Sequence, residues 1–293
     1  MAEGRIIKAL SGFYYVKSED QIYQCRGRGV FRNKKITPLV GDFVEFEIND
    51  PNEGYIMKIK PRKNELVRPP IANINQAIIV SSAISPDFST TLLDRFLVLI
   101  ESKNINPVIF ITKIDLLSDQ KKQEMLTYKK IYKNIGYQVE LLSTIDSDHL
   151  PDISSYFKDN VTVIAGQSGV GKTSLINALD STLLLETAEI SQSLGRGKHT
   201  TRHVELLEIH GGLVADTPGF SALDFNEIEA EELTDYFPEM RERRNECKFR
   251  GCLHYKEPKC AVKTALSDGK IEAFRYKNYI HFLDEIQSRK PRY

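Results

Sequence analysis

The 293-residue chain has no tryptophan and only four cysteines, and its charges cancel, with 40 Lys plus Arg against 40 Asp plus Glu. Each shortage excludes something. Zero net charge names no polyanionic partner, so any affinity for nucleic acid has to come from local clusters. Three of the four cysteines fall between residues 247 and 260 while Cys25 stands alone, a grouping that favours metal ligation in a reducing compartment. No apolar run approaches the roughly 18 residues of a membrane-spanning helix, and MAEGRIIKALSGFYY lacks a basic segment followed by a long apolar one. A cytoplasmic protein with no membrane partner is expected. What remains is ordinary globular composition, 41% hydrophobic and 27% charged, in a chain long enough for two domains or three small ones.

Residues 1–66 offer five short strand candidates, RIIKAL, GFYYVKS, QIYQCRG, DFVEFEI and GYIMKIK, separated by the turn signals SG, SED, VGD and NDPNEG. Alternation places Val44, Phe46 and Ile48 on one face. This spacing predicts a small all-β barrel of OB type, a fold that commonly binds nucleic acid. RGRGVFRNKK, with Arg26, Arg28, Arg32, Lys34 and Lys35 and no acid, is either a solvated loop or a loop that contacts RNA phosphates.

Residues 67–222 alternate apolar strands with amphipathic helices, the pattern of a mainly parallel sheet covered by helices, whose strand ends should carry the chemistry. GQSGVGKT, residues 166–173, follows the strand VTVIA and precedes the helical SLINAL, the context a phosphate loop requires. Gly166, Gly169 and Gly171 let the backbone curl so that the N–H groups of the loop, including Gln167, Ser168, Val170 and Ser174 at the helix start, face phosphate oxygens. Lys172 should reach the β- and γ-phosphates, and the Thr173 hydroxyl should ligate Mg²⁺. DTPG ends the strand GLVA, so Asp216 is a second Mg²⁺ ligand through water, and the Gly219 N–H a bond to the γ-phosphate. Between them lies LGRGKHTTRH, where Thr200 or Thr201 could offer a hydroxyl to Mg²⁺. Thr201 is preferred, because such loops close on the metal near their downstream end.

TKID, residues 112–115, has the elements of a guanine-reading loop. Asp115 can accept both guanine N1–H and N2–H, Lys113 with Ile114 lies along the base, and Thr112 stands where Asn is more frequent. ST at 143–144 supplies a base loop, with Ser143 or Thr144 as the residue bonding the guanine carbonyl. In a Ras-like domain both loops follow the phosphate loop. Here both precede it, and all six strands are present in rotated order. The rotation puts DTPG directly before the C-terminal region, 223–293, which runs from the helical NEIEAEELTDYF through the cysteines to the helical GKIEAFRYKNYIHFLDEIQ.

In that region Cys247, Cys252, His254 and Cys260 form C-x4-C-x-H-x5-C, a full tetrahedral set that suits one structural Zn²⁺. Residues 241–277 hold eleven Lys or Arg against five Asp or Glu, so Arg241, Arg243, Arg244, Lys248 and Arg250 could be presented to RNA.

From barrel through TKID, GQSGVGKTSLINAL, GRGKHTTRHVEL and DTPGF to the cysteines, essentially the whole chain resembles the circularly permuted ribosome-assembly GTPases of the RsgA (YjeQ) type. The resemblance implies hydrolysis of GTP to GDP, slow unless stimulated by the small ribosomal subunit, and coupled to late maturation of that subunit and its rRNA. Phe220 stands where a Ras-like enzyme places its water-orienting Gln. His199 is the candidate replacement, with His203 second. The alternatives are a GTP-dependent rRNA-binding switch in which hydrolysis is incidental, and an RNA-binding zinc protein that no longer uses nucleotide. Intact Lys172, Thr173 and Asp216 speak against the last. A monomer is expected, since a factor that docks on the ribosome needs its faces free.

Overall fold

The computed structural model describes residues 1–29, 31, 36–67, 69–143, 153–179, 204–215 and 223–289. Along the chain run β1 (Ala2–Leu10), β2 (Phe13–Ser18), β3 (Gln21–Gly27), β4 (Phe43–Asp50), β5 (Glu53–Ile59), β6 (Glu65–Leu66), β7 (Ile71–Ala72) and β8 (Gln76–Ser82). There follow α1 (Thr90–Glu101), β9 (Asn106–Thr112), α2 (Asp119–Ile135), β10 (Gln138–Leu141), β11 (Val161–Ala165), α3 (Lys172–Leu179), β12 (Val204–Ile209) and β13 (Gly212–Ala215). The C-terminal helices are α4 (Pro238–Arg241), α5 (Ala261–Ser267) and α6 (Ala273–Gln287). Contacts divide the chain into two compact units, 1–78 with 146–221 and 79–145 with 222–293.

In the first unit β1 pairs with β2 and β4, β2 with β3, β3 with β5 in parallel and β5 with β4, closing a five-stranded barrel. Ile6, Val16, Cys25, Val44, Phe46 and Ile56 fill it at 0% exposure. Ile48 shares the face of Val44 and Phe46, since the register runs unshifted from Phe46 to Ile48, yet it is exposed near the end of β4, opposite Gly54, which has no side chain to cover it.

Below the barrel, buried Asp42 accepts from the Leu39 N–H at 2.7 Å and from Arg62 Nε and Nη2 at 2.7 and 2.8 Å. Asn64 bonds both backbone groups of Ile74, and Asn73 takes the Lys63 N–H at 2.9 Å and donates to the Gly41 carbonyl at 3.1 Å. Gly41 has φ 92°, and a Cβ there would lie 2.0 Å from the Ala72 carbonyl oxygen, so only glycine fits. Gly41 and Asp42 with Arg62, Asn64 and Asn73 are thus a structural clasp.

In the same unit β11 runs parallel to β13, and β12 runs antiparallel to β13 on one side and to β1 of the barrel on the other. Lys8 Nζ meets Glu205 Oε2 at 2.9 Å across that last junction, and Lys17 pairs with Glu208. Buried Gln76, at the start of β8, donates to Thr162 Oγ1 at 2.8 Å.

In the second unit β8, β9 and β10 are adjacent, with β9 and β10 parallel. Ser89 caps α1 by accepting the Leu92 N–H at 3.2 Å, and Gly136, at φ 116°, ends α2 in the left-handed conformation. Residues 226–237, expected to be helical, form turns and one 3-10 turn at Leu233–Tyr236. The buried anchors Ile228 and Leu233 are five residues apart, about 140° around a helix, so no helical face could seat both. Turns let each reach the core separately.

Arg275 of α6 is fully buried. Its Nη1 donates to Asp94 of α1 at 2.6 Å, and its Nε and Nη2 donate to Glu239 at 2.7 and 3.1 Å. Asp94 also accepts from Tyr132 at 2.7 Å and Asn278 at 2.6 Å. Burial pushes the Asp94 carboxyl upward, against the pull of Arg275.

Candidate active site and metal centre

The phosphate loop has the geometry its composition requires. It leaves fully buried β11 and enters α3 at Lys172, with Gly166, Gly169 and Gly171 at φ 140°, 80° and 96°. Buried Val170 anchors the loop to the core, while Gln167 and Ser168 are exposed. Lys172 Nζ curls back onto the carbonyls of Gly166 and Gln167 at 2.9 and 2.5 Å. Burial pulls its pKa below the ordinary value, a cost that an anion in the loop would reverse. Thr173 and Ser174, in the first turn of α3, are half-buried.

The second unit holds the elements expected to read the base. Thr112 is buried at the end of β9, and its hydroxyl donates to the Ser81 carbonyl on β8 at 3.2 Å, which braces the strand end. Lys113 adopts a left-handed φ of 62° and donates from Nζ to the Ser85 carbonyl. This non-glycine left-handed residue turns the chain into the short 3-10 segment Ile114–Leu116, where Asp115 is exposed and has no side-chain hydrogen bond among the described residues. Just past β10, Ser143 Oγ is shut off from solvent and has no hydrogen-bond partner among the described residues. An orphaned buried hydroxyl beside a base-reading loop fits a nucleobase oxygen as its missing partner.

Thr144, His199, Thr200, Thr201, His203, Asp216, Gly219 and Phe220 lie outside the described residues, as do Arg32, Lys34 and Lys35. Their flanking strands are described: β12 starts at Val204, and β13 ends at Ala215.

The four C-terminal ligands come together, their donor atoms all within 4.8 Å of one another. His254 Nδ1 lies 3.2 Å from Cys260 Sγ and 3.6 Å from Cys247 Sγ, and those sulfurs are 3.9 Å apart. A zinc tetrathiolate edge is about 3.8 Å for bonds of about 2.3 Å, so the set fits Zn²⁺. Burial pushes the Cys252 thiol up to about 12 and lowers His254, leaving a neutral set that a dication would convert to thiolates. Tyr276 and Tyr279 donate to the carbonyls of His254 and Leu253 at 2.7 and 2.9 Å, tying the ligand loop to α6. Neither tyrosine was singled out in the sequence, nor were Asp94, Glu239 and Arg275.

A phosphate loop between strand and helix, the TKID strand end earlier in the chain, a closed N-terminal barrel and a Cys3His cluster define a circularly permuted P-loop GTPase with two appended modules. The RsgA GTPase family model matches residues 59–226 and the RsgA N-terminal domain model residues 3–56. The chain belongs to the RsgA GTPase family. It is 69% identical to the small ribosomal subunit biogenesis GTPase RsgA 2 of Oceanobacillus iheyensis over 293 residues, all of both chains. It is 59% identical over 298 residues to the small ribosomal subunit biogenesis GTPase RsgA of Bacillus subtilis, again over all of both. Among solved structures, YloQ, described as a circularly permuted GTPase, superposes with a TM-score of 0.88 at 55% identity, covering 100% of this chain and 97% of that one. YjeQ from Thermotoga maritima gives 0.87 at 33%, covering 99% of both.

Proposed function

We propose that this chain hydrolyses GTP in late maturation of the small ribosomal subunit, with turnover stimulated by the subunit and coupled to its binding or release. The observation that carries this reading is a complete phosphate loop, strand before and helix after, in a chain alike from end to end to curated GTPases of small-subunit biogenesis.

In the division of labour we propose, backbone N–H groups of 166–173 and the Lys172 ammonium hold the phosphates, and Asp115 selects guanine, with Ser143 or Thr144 at its carbonyl. Thr173, Thr201 and Asp216 are the residues to hold Mg²⁺, which supplies charge neutralisation between the β- and γ-phosphates. The Gly219 N–H reports whether a γ-phosphate is bound. The Cys3His set holds a structural zinc. Segments 1–66 and 223–293 flank the GTPase segment 67–222 as rRNA-facing modules of a cytoplasmic monomer.

Phe220 cannot hydrogen-bond a water, so intrinsic hydrolysis is slow, and His199 orients the water once the subunit orders its loop. The same phenylalanine supports the second reading, a GTP-dependent rRNA switch in which hydrolysis is incidental. Phosphate release from GTP, measured with each purified ribosomal subunit in turn, separates them. Stimulation by the small subunit alone is expected, and His199→Ala should lower the stimulated rate about 100-fold while GDP binding is unchanged. No stimulation by either subunit would favour the switch.

A further inference from the structure

Among the described residues only four aromatic side chains are exposed: Phe43, Tyr55, Phe249 and Tyr255. Phe43 is covered by the Arg5 guanidinium, 4.2 Å from its ring centroid. Phe249 and Tyr255, at 43% and 38% exposure, occupy two loops of the Cys3His knuckle and pack against no other ring among the described residues. Neither contributes to the core or to the ligand set. Single exposed rings are ordinary on a protein surface, and what sets these two apart is the charge around them.

Their surroundings choose the partner. Lys248 Nζ sits 5.4 Å from the Phe249 centroid, and Lys256 Nζ sits 5.3 Å from that of Tyr255. Lys248, Arg250, Lys256 and Lys259 lie between the first and last cysteines, and among the described residues none is ion-paired. The sole carboxylate in that interval, Glu257, is turned inward, accepting the backbone N–H groups of Leu253 at 2.8 Å and Tyr255 at 3.0 Å. Lys263 Nζ holds the Tyr255 carbonyl at 3.1 Å, so the ring stands on a fixed backbone. Cations at exposed rings, with the one carboxylate of the interval turned away, match a strand of bases and phosphates.

We propose that the knuckle is a stacking site for unpaired RNA, in which Phe249 and Tyr255 each receive a nucleobase while Lys248, Arg250 and Lys256 hold the adjoining phosphates. The inference rests on the reading that this protein works on the small ribosomal subunit with 223–293 facing rRNA, and it adds two base-stacking residues and a binding mode. Duplex RNA, whose bases are already stacked, is excluded from the rings.

The absence of tryptophan makes the test local. Full-length, zinc-loaded Phe249→Trp and Tyr255→Trp each carry a single tryptophan. Emission should be quenched by an unpaired oligoribonucleotide and not by the same sequence in a duplex. In the tryptophan-free background, Phe249→Leu and Tyr255→Leu should each weaken binding of the labelled oligonucleotide about 5- to 100-fold with an unchanged salt slope. Lys256→Gln should instead flatten that slope by about 0.7. Zinc content and thermal midpoint equal to wild type show that the variants fold. Unchanged emission while the labelled RNA binds, equal quenching by duplex, or no RNA binding would each overturn the proposal. Failure of the functional reading shows elsewhere, as GTP turnover that neither subunit accelerates.

Discussion

The N-terminal barrel and the C-terminal region are held together by opposite means. In the barrel the ladder closes on itself, and Ile6, Val16, Val44, Phe46 and Ile56 fill the interior at 0% exposure. In the C-terminal region only α6 exceeds seven residues among the described elements, and the fastenings are the buried ions of Arg275, Asp94 and Glu239 and a four-ligand cluster. Apolar burial is non-directional and tolerates small changes of shape. Buried ions and metal ligands are directional, and losing one partner strands the others. The two regions should therefore fail differently.

Removal of zinc should have the largest effect, since apparent zinc-binding energies in isolated fingers reach about 10 kcal/mol. Proteolysis and hydrogen exchange after chelation should show 247–260 losing protection while β1–β5 keep theirs. Retained protection in a metal-free protein would show that the tyrosine bonds to His254 and Leu253 suffice. Next is Arg275→Leu, expected to cost about 3–5 kcal/mol in denaturant unfolding because two carboxylates stay buried without a cation. Replacing Asp94 and Glu239 by leucine as well should restore much of that loss, which a simple packing defect would not allow. On the barrel side, Gly41→Ala forces a Cβ onto the Ala72 carbonyl and a strained φ, and should cost more than about 1 kcal/mol, confined to the first unit.

The smallest effect concerns pH. The Arg95 hydrogen bond, with the charge of that guanidinium, holds the Glu285 carboxyl below its ordinary 4.5. A depressed carboxyl stabilises the fold fully above 4.5, and that contribution is lost as pH falls through the lower native value. Acid titration should thus loosen the second unit in this window, and Glu285→Gln should remove that part of the pH dependence.

Much of this was legible beforehand because the signals were local. Five alternating runs with turn residues between them specify strands, and their closure as a barrel follows. The phosphate loop could be read because three glycines, a lysine and a threonine act through their own backbone and nearest neighbours. Residues 226–237 misled, since their helix-favouring glutamates outweighed the irregular spacing of Ile228 and Leu233. Asp94 did carry a signal: a carboxylate in the apolar stripe of LLDRFLVLIE must have a buried partner. Nothing local to that helix points to Arg275, 181 residues away.

The sequence by itself determined the local patterns of this protein: a strand–loop–helix of phosphate-loop type, the strand-end motif TKID, three cysteines and a histidine within fourteen residues, and the rotated order of the GTPase segment. These are short-range patterns, in which residue type and spacing are the whole specification. Only the tertiary structure decided that β12 joins the barrel edge at β1, that Ser143 carries an orphaned hydroxyl, that Arg275 gathers two carboxylates, and that Phe249 and Tyr255 are left in the open. Those outcomes depend on which distant surfaces meet, and burial is a property of the assembled chain.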